Sequence, residues 1–432
     1  MTAGDDLKQY LELYDTSRAL LGNRAEARER LVASGGGLDA AFSPTDYGVN
    51  LQRLPLPVDV GKSFGCVVPA VSAVPAAVVN DIPSFPARLS ERLPKGVTLM
   101  SLREAAEKGL IPEERIEGYD DAETRLNDLL WSDGVLLHVA DGTVLEKPLQ
   151  LVNIFSAPMN LMAIRRMIVV MGRNSEARIL LCDHTHDPEN RYLSAELITA
   201  DLADDARLSF DIIEESSAQT TRRTTFNARL GSHAVLVCTA ATLSCGDARI
   251  RFSVDVAGKG ARAEVNGMVI ADRNQKAVYD TQIVHRGENT SSNQLFKYVA
   301  DGESHCSFNG RIIVREEARF TEAYQTNKNL LASEKATMHA EPTLLIYCDE
   351  VKCSHGAATG QLDRNALFYM RQRGIPLEQA RQLLMESFVS DVIDTVHIAG
   401  LRDRLRHLAE RRFSGLGSDV ATCSDCSLNP TK

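Results

Sequence analysis

A short unit that returns along the middle of the chain constrains its fold more than any other feature. The unit places two polar residues before an alanine, and apolar residues follow at alternate positions, as in Ser175–Leu181 and Gly246–Phe252. A regular step of this kind indicates a solenoid, because each unit buries its apolar face only by stacking on the next. The alanine or its replacement returns in steps of about 14 residues, or about twice that, at positions 177, 206, 234, 248, 261, 277, 304, 318, 336 and 351.

The residues between the units predict short strands without intervening helices. Val135–Val139 and Leu149–Ile154 are the first two, separated by a turn at Asp141 and Gly142, and further strands follow through Cys348. This density of strands excludes a doubly wound sheet. The step predicts parallel strands wound as a β-helix. A β-sandwich is the structural alternative, although about 220 residues of strands is long for one sandwich.

Helical patterns flank the predicted strands. On the N-terminal side we expect a helix over residues 1–33, irregular structure over 38–75 and a helical stretch over about 100–130. On the C-terminal side Asp363 is a candidate N-cap for a helix that runs through Arg373 and stops at Gly374. Pro376 opens a second helix, and leucines spaced four and three apart over 401–408 predict a third.

These patterns divide the chain into four parts. We predict an N-terminal helical and irregular domain at 1–130, a parallel β-helix core at 131–360, a C-terminal helical domain at 361–414 and a disordered tail at 415–432. A helical domain of about 50 residues rarely supplies its own core, so we expect this one to lean on a partner.

Composition and charge limit the compartment and the partners. The 432 residues contain no long apolar run, and Met1–Asp6 does not begin a secretory signal, so we expect a cytoplasmic protein that does not cross a membrane. The net charge of −10 argues against nucleic acid as a partner. The nine cysteines should be reduced thiols that are buried or serve as metal ligands.

The densest set of chemically active side chains lies at 347–356. It contains Cys348, Cys353 and His355 together with acidic residues. In an extended segment Cys353 and His355 point to the same side, so they can face one partner or metal together. The alternative is that Cys353 fills the apolar position of a late coil, Cys348 is a packed thiol and His355 caps the coil end. Two ligands do not complete a metal site.

Other candidate sites carry weaker signals. The stretch Cys182–Asp187 resembles a ligand cluster, but we interpret it as a polar turn between coils. Cys423 and Cys426 form a CxxC pair without a second pair. Gly258-Lys259-Gly260 lacks the rest of a phosphate-binding loop, so we do not expect the chain itself to hydrolyse ATP. The basic run Arg402–Arg412 is either a solvated helix face or a seat for a partner.

The stretch Val351–Asp363, followed by Leu367–Ile375, closely resembles the hallmark of the SufB/SufD family of iron–sulfur cluster assembly proteins. Gln325–Leu331 and Asp133–Val139 are also similar to that family. The resemblance covers roughly residues 125–395. The chain looks more like SufD than SufB, because Gln325–Leu331 is SufD-like and the cysteine-bearing segment expected of SufB in that region is missing.

The resemblance implies a right-handed parallel β-helix flanked by N-terminal and C-terminal helical domains. It also implies a non-catalytic scaffold that pairs with a SufB-like subunit through the β-helix and docks a SufC-like ABC ATPase through its C-terminal helices. Cys353 and His355 are then possible ligands, at the subunit interface, of a transient iron–sulfur cluster. The residues expected to contribute to ATPase docking are Leu367, Phe368, Tyr369, Leu384 and Phe388.

The same resemblance implies that ATP binds only to the partner ATPase, and it suggests reduced flavin in the complex. A homodimer is a further expectation where no SufB-like subunit is available. Two alternatives come from other functional classes. One is a polysaccharide lyase-type enzyme on a β-helix, which would be expected to carry acidic calcium sites and a secretory signal. The other is an independent metal sensor, which would need a complete ligand set.

Overall fold

The computed structural model describes residues 29, 32–33, 47–49, 72–86, 88–112 and 116–415. The predicted helix over 1–33, apart from residues 29, 32 and 33, and most of the predicted irregular stretch over 38–75 lie outside the described residues. The predicted tail does too, except for Gly415, and with it Cys423 and Cys426. None of the described helices is long and apolar enough to cross a membrane.

Strands make up most of the described chain. They are β1 (Gly48–Val49), β2 (Val74–Val79), β3 (Ile82–Ser84), β4 (Val97–Ser101), β5 (Val135–Val139), β6 (Leu149–Phe155), β7 (Leu161–Met171), β8 (Glu176–Thr185), β9 (Tyr192–Leu202), β10 (Arg207–Glu214), β11 (Thr220–Leu230), β12 (Val235–Thr242), β13 (Asp247–Val256), β14 (Arg262–Ala271), β15 (Lys276–His285), β16 (Ser291–Ala300), β17 (His305–Val314), β18 (Glu322–Leu331), β19 (Thr337–Ile346) and β20 (Lys352–Gln361). The helices are α1 (Leu89–Arg92), α2 (Leu102–Glu107), α3 (Ala122–Leu130), α4 (Arg364–Gln372), α5 (Leu377–Ile393) and α6 (Ala399–Phe413).

The strands form a parallel β-helix, as the sequence predicted. Odd-numbered strands from β5 to β19 stack as one sheet, here called sheet A, and even-numbered strands from β6 to β20 stack as the other, sheet B. The chain alternates between the sheets, so each coil consists of one strand from each. Register pairs Asp247 with Lys276 and Lys276 with His305, 29 residues further each time. The repeating step of about 14 residues is therefore half a coil.

The repeated alanine lies at the corner where one strand begins. Ala206, Ala234 and Ala261 are completely buried and line the space between the sheets. Each directly follows a residue in the left-handed backbone region, namely Asp205, His233 or Gly260. Small polar residues and glycine tolerate that conformation best, and only a small side chain fits where the two sheets converge. The polar-polar-alanine pattern thus encodes the turn.

Apolar side chains from both sheets fill a continuous column between them, here called the lumen. Alternate residues of each strand point into it, and the buried cluster extends from Val74 to Ala336. Aromatic rings stack along the column. Phe226 has its ring centroid 5.1 Å from that of Phe210 and 5.9 Å from that of Phe252. Burial of this kind, repeated in every coil, is the main stabilising term of a solenoid.

The N-terminal part extends and covers the β-helix. Strand β2 pairs with β6 in sheet B, and β4 pairs with β5 in sheet A. The predicted helical stretch over about 100–130 contains two separate helices, α2 and α3. Leu126, Leu129 and Trp131 pack against the outer face of sheet A in a cluster that includes Ile164 and Leu193. A capping box formed by Asp121 and Thr124 begins α3.

The three C-terminal helices lie where the sequence predicted them, although α6 extends beyond the predicted stretch over 401–408 at both ends. The Asp363 side chain accepts hydrogen bonds from the backbone of Asn365 and Ala366, which fixes the start of α4. Gly374 follows that helix with φ of 85°, a conformation for which glycine is favoured. Pro376 is the N-cap of α5.

Candidate functional site

The two ends of the β-helix differ in how their outermost strands are covered. At the N-terminal end the antiparallel strands β3 and β4 close sheets B and A. At the C-terminal end β19 and β20 are the last strands, and no described strand pairs with their outer edges. Each of the two strands is ten residues long. All residues of β20 are exposed or half-buried, so this end of the described chain presents an open, extended edge.

Cys353 and His355 both lie on β20 and face the lumen at its open end. Register pairs Cys353 with Ala323 and His355 with Gln325 on the preceding strand of sheet B. Both of these neighbours are buried, and in-register residues of parallel strands point to the same side of a sheet. Alternation along the strand predicted that the two side chains share a side. The register adds that this side is the mouth of the lumen.

The thiol of Cys353 occupies an apolar corner of the last coil. It is half-buried and packs, together with Cys348, against a small cluster that includes Ile312 and Ala323. Burial raises the pKa of the Cys353 thiol and Cys348 adds to this, while a backbone hydrogen bond with Ala323 opposes it. The thiol is therefore protonated near neutral pH, and it must release its proton to bind a metal.

His355 is exposed at the mouth, two residues from Cys353. The edge beyond it is open, because a Cβ added at Gly356 or Gly360 would meet no atom within 4 Å. The described residues contain no group of three or more His, Cys, Asp or Glu side chains that could hold a metal ion. Cys353 and His355 can therefore supply two ligands, and a site of about four ligands needs further ones from another molecule.

The predicted polar turn at Cys182–Asp187 is wrong for its first four residues, which belong to a strand. Cys182, Asp183 and His184 belong to β8 and are buried, since the strand runs to Thr185 before the chain turns. Burial lowers the pKa of His184, which favours the neutral ring. Only the last two residues of the stretch lie in the turn.

A buried cluster of charged groups in the lumen was missed by the sequence analysis. Arg222 is completely buried on β11, and its guanidinium contacts the carboxylates of Asp183 at 2.7 Å, Glu214 at 2.8 Å and Glu196 at 3.1 Å. Arg165 also binds Asp183, at 2.7 Å. Burial alone would lower the pKa of Arg222, but the three carboxylates raise it by more than that. The net pKa is therefore above its ordinary value, and the guanidinium remains charged. Burial raises the pKa of Glu214, which Arg222 partly offsets.

The C-terminal helical domain takes its support from the β-helix of the same chain, which corrects the expectation that it leans on a partner. Apolar residues of α5 and α6 share one buried cluster with the outer face of sheet B, including Val389, Leu401, Met268 and Ile270. Because sheet B offers a wide apolar outer face, the helices can complete their core there.

Ion pairs add to the contact between these helices and sheet B. Lys297 binds Asp391 on α5 at 2.5 Å, and this hydrogen bond lowers the pKa of Asp391. Within the basic run Arg402–Arg412, Arg404 binds the buried Glu215 at 3.1 Å and Arg412 is itself buried. The interpretation of the run as a wholly solvated helix face is therefore wrong.

The five residues predicted to dock an ATPase separate into two groups. Leu367, Leu384 and Phe388 are half-buried against the cluster on sheet B. Phe368 and Tyr369 on α4 are exposed, with Phe368 at 65% the most exposed large apolar side chain described. Helix α4 has no buried residue. Phe368 and Tyr369 are thus the members of the set that another protein can reach.

A polar cleft of about 320 Å³ lies on the outer face of sheet A, beside Tyr119. Its acidic groups are largely paired, because Asp121 binds Arg251 and Asp280 binds Arg249 at 2.6 Å. A calcium-dependent lyase would need several free carboxylates that converge on one ion. The cleft does not provide them among the described residues.

Two models of known protein families match successive segments of the chain. The family model described as the SUF system FeS cluster assembly, SufBD core domain matches residues 154–388. The model described as the SufBD protein N-terminal region matches residues 36–151.

Curated relatives are similar to parts of the chain, at identities between 26% and 39% for the three described here. The SufD protein of Escherichia coli is 31% identical over 167 residues, which cover 39% of this chain and 40% of that protein. The SufD protein of Bacillus subtilis is 26% identical over 292 residues, 67% of this chain and 66% of that protein. A SufBD family protein of Synechocystis is 39% identical over 122 residues, 28% of this chain and 27% of that protein. The chain thus spans less than two-thirds of each of these relatives.

Proposed function

This chain belongs to the SufBD family of SUF-system iron–sulfur cluster assembly proteins, and we propose that it is a SufD-like, non-catalytic scaffold subunit. In this proposal it pairs with a SufB-like subunit through the open end of the β-helix. It docks a SufC-like ATPase through the C-terminal helices, and ATP binds only to that ATPase. The iron–sulfur cluster is the cargo, assembled where the two scaffold subunits meet.

The observation that carries the proposal is the difference between the two ends of the β-helix. Exposed edges of ten-residue strands are templates for pairing with another chain, and proteins normally shield them. Here the N-terminal end is shielded by antiparallel strands, whereas β19 and β20 are bare among the described residues. Sheet extension by a second β-helix would satisfy both edges at once.

Exposed apolar side chains surround the same end. Phe320, Tyr324, Leu345, Ile346 and Tyr347 are all exposed, and all belong to the last two coils or to the turns that join them. Large apolar side chains that cluster on a surface mark a protein interface more often than a solvated face. These side chains favour a protein partner at this end, and a SufB-like β-helix is the candidate that the family offers.

Cys353 and His355 then lie at the junction between the subunits. Their luminal position directs both side chains to the mouth, where a partner's residues can complete the ligand set. A thiol and an imidazole are ligands that suit iron in sulfur-rich sites. We propose that these two residues are transient cluster ligands.

Substitution of His355 tests the ligand role. In the co-purified complex, His355→Ala is expected to leave assembly of the subunits intact but to lower the yield of reconstituted cluster about tenfold or more. The measurements are cluster absorbance per complex and size-exclusion chromatography. His339→Ala is the matched control, because His339 is an exposed histidine of the same coil on the outer face of sheet A. An unchanged cluster yield in His355→Ala would remove the ligand role.

Substitution of Phe368 tests ATPase docking. Phe368→Ser removes a protruding aromatic side chain from α4, and loss of such an anchor is expected to weaken ATPase capture about thirtyfold. Isothermal titration with the purified SufC-like ATPase measures the change. Met159→Ser is the control, since Met159 is another exposed apolar residue and lies in a turn of the β-helix. Equal affinities of Phe368→Ser and the unmodified chain would place the ATPase elsewhere.

A further inference from the structure

A buried glutamine lies directly below His355 in the lumen. Register pairs Gln325 with His355, and one strand deeper it pairs Gln294 with Gln325. Both glutamines are buried, and the three residues form one column along sheet B. Because neighbouring strands lie about 4.8 Å apart, side chains in such a column are within reach of one another.

The amide of Gln325 has no hydrogen-bond partner among the described residues. Its side chain is 98% buried, and neither Nε2 nor Oε1 is bonded. The amide extends across the lumen to Gly310, where an added Cβ would lie 2.1 Å from Nε2. The absence of a side chain at Gly310 thus makes room for this amide. A buried amide without a partner is costly, so a group that satisfies it is expected close by.

The other luminal amides near the mouth already have partners. Gln294 accepts a hydrogen bond from Thr281 at 2.6 Å. Asn329 donates to Asn327 at 2.6 Å and to Thr359 at 3.1 Å. Among these four amides Gln325 is therefore the one with both of its polar atoms unbonded, and it is the one in register with His355.

We propose that Gln325 is a positioning residue for His355. Its Oε1 accepts a hydrogen bond from one ring nitrogen of His355, and the other ring nitrogen then directs its lone pair out of the mouth. The register places the two residues next to each other on neighbouring strands, with their side chains on the same side of sheet B. A histidine that binds a metal commonly donates its second N–H to such a fixed acceptor, which sets the tautomer and the ring orientation.

The proposal deepens the function proposed above, since it rests on His355 as a cluster ligand. It assigns a role to the first residue of the SufD-like stretch Gln325–Leu331. An uncharged acceptor orients the ring without adding a buried charge to the lumen, whereas a carboxylate there would need its own counterion. The amide oxygen of Gln325 is therefore an acceptor that this buried position can hold without a counterion.

The tautomer of His355 is the decisive measurement. The full chain, labelled with ¹⁵N-histidine, is studied by NMR at about pH 8. The His355 signals are assigned by comparison with His355→Ala. Gln325→Leu removes the acceptor and is expected to change the ratio of the two neutral tautomers about fivefold.

Gln294→Leu is the matched control, because it alters the same residue type in the same column one strand further from His355. It is expected to leave the His355 tautomer unchanged. Circular dichroism establishes that each variant is folded. If the ¹⁵N shifts of His355 are the same in Gln325→Leu and the unmodified chain, the positioning role is wrong, whatever the scaffold does.

The reconstituted complex separates this proposal from the function on which it rests. Gln325→Leu is expected to lower cluster yield without disrupting the subunits, as His355→Ala does. If the tautomer responds to Gln325→Leu but His355→Ala leaves cluster yield unchanged, the ligand role fails while the contact between the two side chains stands. If the tautomer does not respond but His355→Ala abolishes cluster formation, the scaffold function stands without Gln325.

Discussion

Replacing Arg222 by methionine is expected to lower the free energy of unfolding by about 3–5 kcal/mol, because it leaves buried carboxylates without their counterion. The guanidinium of Arg222 contacts Asp183, Glu214 and Glu196, and it is completely buried in the lumen. Water cannot replace the lost charge at that depth. The carboxylates must then bind protons or separate, and either change disturbs the stacking of at least three coils.

Denaturant unfolding of Arg222→Met, followed by circular dichroism, measures the change. Arg229→Met is the matched control on the same strand, since Arg229 also forms an ion pair, with Asp201 at 2.8 Å, but is half-exposed. An exposed pair contributes about 0–1 kcal/mol. Adding Glu214→Gln to Arg222→Met should recover part of the loss by removing one of the unpaired charges. Similar losses for Arg222→Met and Arg229→Met would contradict the argument.

The architecture could be predicted from the sequence because its signal is local. A corner requires a residue that tolerates a left-handed backbone, followed by a small buried one, and Asp205-Ala206 and His233-Ala234 satisfy both conditions within two positions. The C-terminal helices were predictable for the same reason, since Asp363 and Gly374 act on neighbouring backbone. Each of these features depends on a few adjacent residues. The corners can therefore be recognised in the sequence as a repeat, and the helices by their first and last residues.

The sequence did not show which side of each strand faces the lumen. The functional chemistry depends on that orientation. Arg222 and Arg223 are adjacent in the sequence, yet Arg222 faces the lumen and Arg223 binds Asp247 near the surface at 2.9 Å. The pairing of β2 with β6 joins residues 75 positions apart, as Val74 with Leu149, and no local pattern marks it. Long-range register of this kind becomes visible only once the coils are stacked.

At the candidate site, too, the local features could be predicted from the sequence and the long-range ones could not. Alternation was enough to place Cys353 and His355 on one side of a strand. That this side is the mouth of the lumen follows from their register with Ala323 and Gln325. The importance of Gln325 was also invisible in the sequence, because it depends on the space left by Gly310 across the lumen.

The second large effect is expected at Asp211, which lies between sheet B and the C-terminal helices. It is 99% buried on β10, and neither carboxylate oxygen has a hydrogen-bond partner among the described residues. Register places it between Leu180 and Thr239. Leu180 belongs to the cluster shared with α5 and α6, and Thr239 contacts Thr395, between those helices, at 3.2 Å. The carboxyl group is therefore enclosed where the helical domain meets the β-helix.

Burial raises the pKa of Asp211 from 3.8 to about 8. Between these two values the folded chain holds a proton that the unfolded chain releases, so this residue makes stability fall as pH rises. The slope is about 1.4 kcal/mol per pH unit, and the cost relative to acidic pH reaches about 4 kcal/mol at pH 7. Above about pH 8 the folded chain also loses the proton, and this residue adds no further slope.

Asp211→Asn is therefore expected to stabilise the protein at pH 7, by about 2–4 kcal/mol, and to flatten the dependence of unfolding on pH between about 4 and 8. The amide cannot ionise, so the unfolded state loses its advantage from releasing the proton. Denaturant unfolding at a series of pH values measures both effects. Asp201→Asn, at a half-exposed carboxylate, is the control and should change stability by less than about 1 kcal/mol. A destabilised Asp211→Asn with an unchanged pH slope would show that the buried group is ionised at neutral pH. If the slope does flatten, ionisation of this one carboxyl group, enclosed between the helical domain and the β-helix, links pH to the stability of the fold.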